Sequence, residues 1–83
     1  MREMVFKMER PGLVSEGDVL PVTENKVSVY YYYTLGRAYA MSANYSKVQR
    51  LKSREGTVTN VETTAAGYYV TVAFDEDEIS TDK

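Results

Sequence analysis

Apolar and polar residues alternate most strictly over residues 68–75, where Tyr68, Val70, Val72 and Phe74 share one face of an extended chain and Tyr69, Thr71, Ala73 and Asp75 the other. A period of two predicts a half-buried strand. The preceding stretch, 56–63, is rich in Thr and Val, and the connection Thr64-Ala65-Ala66-Gly67 ends on the residue that best tolerates positive φ. Residues 55–75 therefore read as one hairpin. Val58 and Val61 are three positions apart, which puts them on opposite faces unless a β-bulge at Thr59-Asn60 resets the alternation; the bulge is expected.

The same reading extends toward the N-terminus. Met4, Phe6 and Met8 alternate with Val5, Lys7 and Glu9 and give a short strand closed by the Arg10-Pro11-Gly12 turn. Within 13–22, a Gly17-Asp18 turn leads into Val19-Leu20-Pro21-Val22, and Pro21, which has no N–H to donate, predicts an edge strand or an irregular loop. Residues 23–26 read as a polar turn. Residues 27–34 are β-branched and aromatic, with Val27, Val29, Tyr31 and Tyr33 expected toward the core and Ser28, Tyr30 and Tyr32 outward. Two readings stand for 35–51. Gly36 can turn the chain into a short strand at 38–42, or a short helix can occupy about 42–51, with Met41, Tyr45, Val48 and Leu51 at roughly helical spacing and Ser42 or Asn44 as N-cap.

These elements predict a mainly β fold, a small antiparallel barrel of about five strands forming a single domain over 1–77, with 78–83 as an acidic frayed tail. A chain of 83 residues buries little more than half of its unfolded surface, so its stability is expected to be modest. Cys and His are both absent, which excludes disulfides, thiolate metal sites, cysteine nucleophiles and the commonest general base. The first nine residues lack the apolar stretch of a signal peptide and no run reaches membrane-spanning length; the cytoplasm is the expected compartment, and the Asn44-Tyr45-Ser46 sequon a chance match.

Charge changes the picture more than composition does. The net value is −2, but residues 25–54 hold six cations (Lys26, Arg37, Lys47, Arg50, Lys52 and Arg54) and no carboxylate, whereas 55–83 sums to −6. The basic third also holds six of the eight tyrosines. The candidate partner-binding residues are accordingly Tyr30, Tyr32, Tyr39, Arg37, Lys47, Arg50, Lys52 and Arg54. Outward tyrosines with a basic rim suit a protein partner or a homodimer. The same composition suits single-stranded nucleic acid, in which cations neutralise phosphates and rings stack on bases. A plainer reading also stands: Tyr is a favoured strand residue, and the cations can offset the acidic third of the same fold. The acidic run Asp75-Glu76-Asp77-Glu78 lacks the glycine and spacing of a calcium loop and reads as solvated tail.

Gly17-Asp18-Val19 entering a strand, and Glu55-Gly56-Thr57-Val58 entering a hairpin that ends Val70-Thr71-Val72-Ala73-Phe74-Asp75, resemble the small SH3-like barrels; the second element looks like the hairpin of KOW-type modules. The resemblance implies about five short, strongly bent antiparallel strands and a partner that is nucleic acid, peptide or another protein domain. No phosphate loop, dinucleotide fingerprint or nucleophile elbow is present. The sequence thus points to a non-enzymatic interaction or regulatory module. No cofactor, metal, membrane or small-molecule substrate is expected. Single-stranded nucleic-acid binding through 25–54 is the alternative.

Overall fold

A computed structural model describes residues 1–76. Six strands, β1 (Arg2–Met8), β2 (Val19–Val27), β3 (Tyr30–Leu35), β4 (Ala40–Ser42), β5 (Glu55–Thr64) and β6 (Gly67–Phe74), close into an antiparallel barrel in the order β1-β4-β3-β2-β5-β6. The architecture is the small SH3-like barrel that the sequence predicts, with one strand more than expected. The extra strand is the three-residue β4, which bridges β3 to β1 through Leu35 opposite Ala40 and Met8 opposite Ala40. The tail 78–83 lies outside the described residues.

The core follows from alternation. Met4, Phe6 and Met8 of β1 meet Val70, Val72 and Phe74 of β6 across seven paired positions, and all six side chains are buried. Val58, Leu35, Tyr33, Leu51, Val22, Val14 and Ala40 complete the cluster. The β5–β6 pairing shifts register between Val58 and Asn60, which is the expected bulge; Val58 is buried and Val61 packs against the core. Gly56 is required by packing. A Cβ there would lie 2.6 Å from both Val72 Cγ1 and Phe74 Cε1, so this glycine lets β5 approach β6 across the barrel wall.

Four expectations need correction. Pro21 lies neither on an edge nor in a loop but within β2, which pairs with both β3 and β5 in the closed barrel. Residues 23–26 are not a turn but the middle of β2: Thr23, Glu24, Asn25 and Lys26 face Thr34, Tyr33, Tyr32 and Tyr31 of β3. Their polarity is accommodated by cross-strand bonds, such as that from Asn25 Nδ2 to Thr34 Oγ1 at 2.9 Å. The turn instead falls at Ser28-Val29, with Ser28 at φ 56°. Consequently Val27 and Val29 sit at an exposed hairpin tip, 48% and 68% accessible, and do not line the core. Segment 35–51 contains the strand alternative, β4, and in place of a helix over 42–51 it has a single 3₁₀ turn at Lys47–Gln49. Ser46 caps it, its N–H and hydroxyl both donating to Gln49 Oε1 at 3.3 and 3.2 Å.

Candidate interaction surfaces

The strand registers assemble an outer face. On β3 the buried residues are Tyr33 and Leu35, so Tyr30, Tyr32 and Thr34 point outward, and the cross-strand partners of these three on β2 are Val27, Asn25 and Thr23. Met41 of β4 pairs with Thr34 on one side and with Lys7 of β1 on the other, and Lys7 pairs with Tyr69 of β6. Val5 is the outward neighbour of Lys7 along β1. Val27, Tyr30, Met41 and Val5 are each about half exposed, at 48, 48, 48 and 52%. Between Val5, Met41, Tyr45 and Tyr69 lies a shallow groove of about 420 Å³. Tyrosine exposure at Tyr30 is legible in the sequence; Val5, Met41 and Tyr69 join it through sheet closure, which no local signal carries.

The opposite side of the β2–β3 hairpin is polar and tightly bonded. Tyr33, fully buried, accepts a hydrogen bond from the Leu51 N–H at 2.7 Å and donates to Glu24 Oε2 at 2.9 Å. Glu24 also accepts two bonds from Arg50, at 2.8 and 2.7 Å. Arg50 in turn lies over the Tyr31 ring, 4.6 Å from its centroid. The Arg50 hydrogen bonds, aided by the Tyr33 hydroxyl, hold the Glu24 carboxyl below its ordinary range despite burial; burial, with Glu24 beside it, pushes the Tyr33 phenol up to about 12.

A second buttress stands beside this one. Arg2, 5% exposed, donates to the Gln49 carbonyl at 2.6 Å and pairs with Glu76 at 3.3 Å, and it stacks over Tyr45. Glu76 further accepts from the N–H groups of Lys52 and Ser53 and from the Ser53 hydroxyl, at 3.1, 2.8 and 2.6 Å. Burial raises the Glu76 carboxyl, but the Ser53, Lys52 and Arg2 bonds outweigh it, and its pKa stays below the ordinary value. Glu76 is thus a structural anchor rather than part of a solvated run. Together the two networks clamp the 46–54 loop onto the barrel.

The eight candidate residues separate into three places. Tyr30 and Tyr32 lie on the outer face. Arg37 and Tyr39 belong to the β3–β4 turn, at the far end of β3, roughly 17 Å of strand away; Tyr39 packs over Gly36, whose φ of 58° and lack of Cβ admit the ring. Lys47, Arg50, Lys52 and Arg54 line an open groove of about 520 Å³ together with Val48 and Leu51. Arg50 covers Tyr31, on the face opposite Tyr30 and Tyr32, so this cation and the outward tyrosines lie on different faces of β3. Arg50 is also the one member of the set in a salt bridge among the described residues, while Arg54 acts on the same Glu24 carboxylate at longer range.

Among the described residues no group of three or more Asp or Glu side chains is placed to hold a metal ion, and no helix is long and apolar enough to cross a membrane. Compared with protein-family models, with curated proteins and with solved structures, the chain finds no match.

Proposed function

We propose that the chain is a non-enzymatic interaction or regulatory module that docks a protein partner, or a second copy of itself, on the outer face of β1, β4, β3 and β2. The observation that carries this reading is the register that turns half-exposed Val5, Met41, Tyr30 and Val27 outward on the neighbouring strands β1, β4, β3 and β2. Large apolar side chains grouped on a sheet with Tyr and a flanking Lys are the composition of an interface rather than of a solvated wall. Missing Cys and His support the non-enzymatic part, and the cytoplasm remains the proposed compartment.

The alternative, single-stranded nucleic acid, draws on the cations of the 47–54 groove, but no ring lines that groove. Sedimentation velocity over a wide range of concentrations, with the Val5→Lys, Met41→Lys double variant beside the parent, tests the first reading. The expected result is self-association, or binding of the cognate protein, lost in a variant whose melting temperature is unchanged. Equal association by parent and variant overturns it. A labelled oligothymidine bound tightly, with a steep salt slope and no dependence on Val5 or Met41, favours the alternative.

A further inference from the structure

The 47–54 groove lies apart from the outer face and has a chemistry of its own. Six residues line it, and four are cations. Arg50 is taken up by Glu24 and Tyr31, but Lys47, Lys52 and Arg54 form no salt bridge among the described residues; Arg54 donates to two carbonyl oxygens at 3.5 Å and acts on Glu24 only at longer range. Among these charges Val48 stands 81% exposed. An aliphatic side chain held this far into solvent, ringed by like charges, is poorly used by the fold itself.

The backbone beneath the groove is already ordered. Arg2 holds the Gln49 carbonyl, Tyr33 the Leu51 N–H, Glu76 the Lys52 and Ser53 N–H groups, and the Val22 N–H the Arg54 carbonyl at 2.8 Å. A ligand would therefore meet a loop whose ordering cost has been met by folding. The anions this region accepts from its own chain are carboxylates, Glu24 and Glu76. Tyr31 and Tyr45 each carry a guanidinium over the ring, Arg50 and Arg2, and no aromatic side chain lines the groove, so no stacking platform faces it. Charges spread along a loop around one apolar residue complement an extended peptide better than a stacked base or a single phosphate dianion.

We infer that this groove docks an acidic peptide segment of a partner protein, its carboxylates meeting Lys47, Lys52 and Arg54 and one aliphatic side chain seated on Val48. The inference does not depend on the outer face. The test is fluorescence anisotropy on the full chain with three labelled probes: a synthetic peptide of Asp and Glu residues flanking a central Leu, its Asn and Gln counterpart, and an oligothymidine of matched charge. The acidic peptide should bind, weaken with salt, and weaken about tenfold or more in Lys52→Gln, Arg54→Gln and again in Val48→Ser. It should be unaffected by Tyr30→Ser, Tyr32→Ser, which separates failure here from failure of the outer face. Near-equal binding of the neutral peptide, tighter binding of the oligothymidine, or indifference to the groove variants overturns the inference. So does binding that emerges only after residues 77–83 are deleted, because the groove would then serve the chain's own acidic end.

Discussion

The two long hairpins of this barrel both turn through two residues and differ in what holds their inner faces. In β5–β6 the inward residues are Val58, Val70, Val72 and Phe74, all buried, and their stabilisation is area removed from water. In β2–β3 the inward positions past Val22 and Leu35 are Glu24, Tyr33, Lys26 and Tyr31, and a carboxylate, a phenol and a guanidinium replace the apolar contacts. Burial without direction tolerates small shifts, whereas the second hairpin depends on a few atoms at 2.7–2.9 Å. The loop that carries the basic groove is hung from those atoms. The polar hairpin thus trades core for precision, and the candidate peptide site lies where that precision is.

The largest effect should come from the apolar hairpin. Phe74→Ala removes a ring packed against Phe6 at 6.3 Å between centroids and should cost about 3–5 kcal/mol by chemical denaturation, enough to unfold much of a chain this small. Gly56→Ala, which adds a methyl between Val72 and Phe74, should cost about 1–3 kcal/mol. A fully folded Gly56→Ala variant of parental stability would mean that β5 does not cross β6 as closely as drawn.

Tyr33→Phe probes the polar hairpin with little change in volume. It strips the Leu51 N–H of its acceptor in a buried setting and should cost about 1–3 kcal/mol, with faster amide exchange confined to the 46–54 loop. Uniform loss across the barrel would show that the two hairpins are one cooperative unit and would break the comparison.

Acid should distinguish them as well. The native carboxyls of Glu24 and Glu76 lie below the ordinary value of 4.5, so their contribution is complete above that value and is lost as pH falls through their native ones. Melting temperature should therefore drop below about pH 4.5, and Glu24→Gln should lower it at neutral pH while flattening the acid limb. Tyr33 has the opposite sign. Its phenol is raised from 10 to about 12, so the stability it confers is intact below pH 10 and disappears between the two values, a base limb that Tyr33→Phe removes.

Legibility in the sequence followed the same division. Strand 68–75, the bulge at Thr59-Asn60 and the Met4, Phe6, Met8 strand could be read because alternation is a local property that burial enforces on apolar residues. Residues 23–26 read as a turn because Thr, Glu, Asn and Lys carry no apolar signal, and the partners that make them a strand, Arg50 and Tyr33, lie 26 and 9 positions away. Strand alternation alone sets the outward direction of Tyr30; Val27 and Val29 do not mark the core side, because the Ser28 turn places them at the tip. Nothing near Arg2 or Glu76 announces a buried pair 74 residues apart. The basic residues were visible as a composition; the separation of Arg50 from the outward tyrosines required the register.

The smallest prediction compares one outward threonine on each hairpin. Thr71 of β6 points out of the barrel, and its contact with β5 is made by its backbone carbonyl, which accepts from Thr59 Oγ1 at 3.3 Å and survives truncation of the side chain. Thr71→Ala should therefore change stability by less than about 0.5 kcal/mol. Thr34 occupies the equivalent outward position on β3, but its Oγ1 accepts from Asn25 Nδ2 at 2.9 Å, a side-chain bond that helps turn a polar segment into a strand. Thr34→Ala should cost about 0.5–1.5 kcal/mol, and Asn25→Ala should cost less in that background than alone, because the two share the Nδ2–Oγ1 bond while Asn25 also donates to the Thr23 carbonyl at 3.3 Å. Denaturant titrations of five chains, the parent, Thr71→Ala, Thr34→Ala, Asn25→Ala and the Asn25→Ala, Thr34→Ala double variant, resolve the order. If Thr71→Ala proves the more damaging, the strand is slipped by one residue and Val70, Val72 and Phe74 cannot face the core; if Asn25→Ala and Thr34→Ala simply add, the polar hairpin is not held by its side-chain pairs.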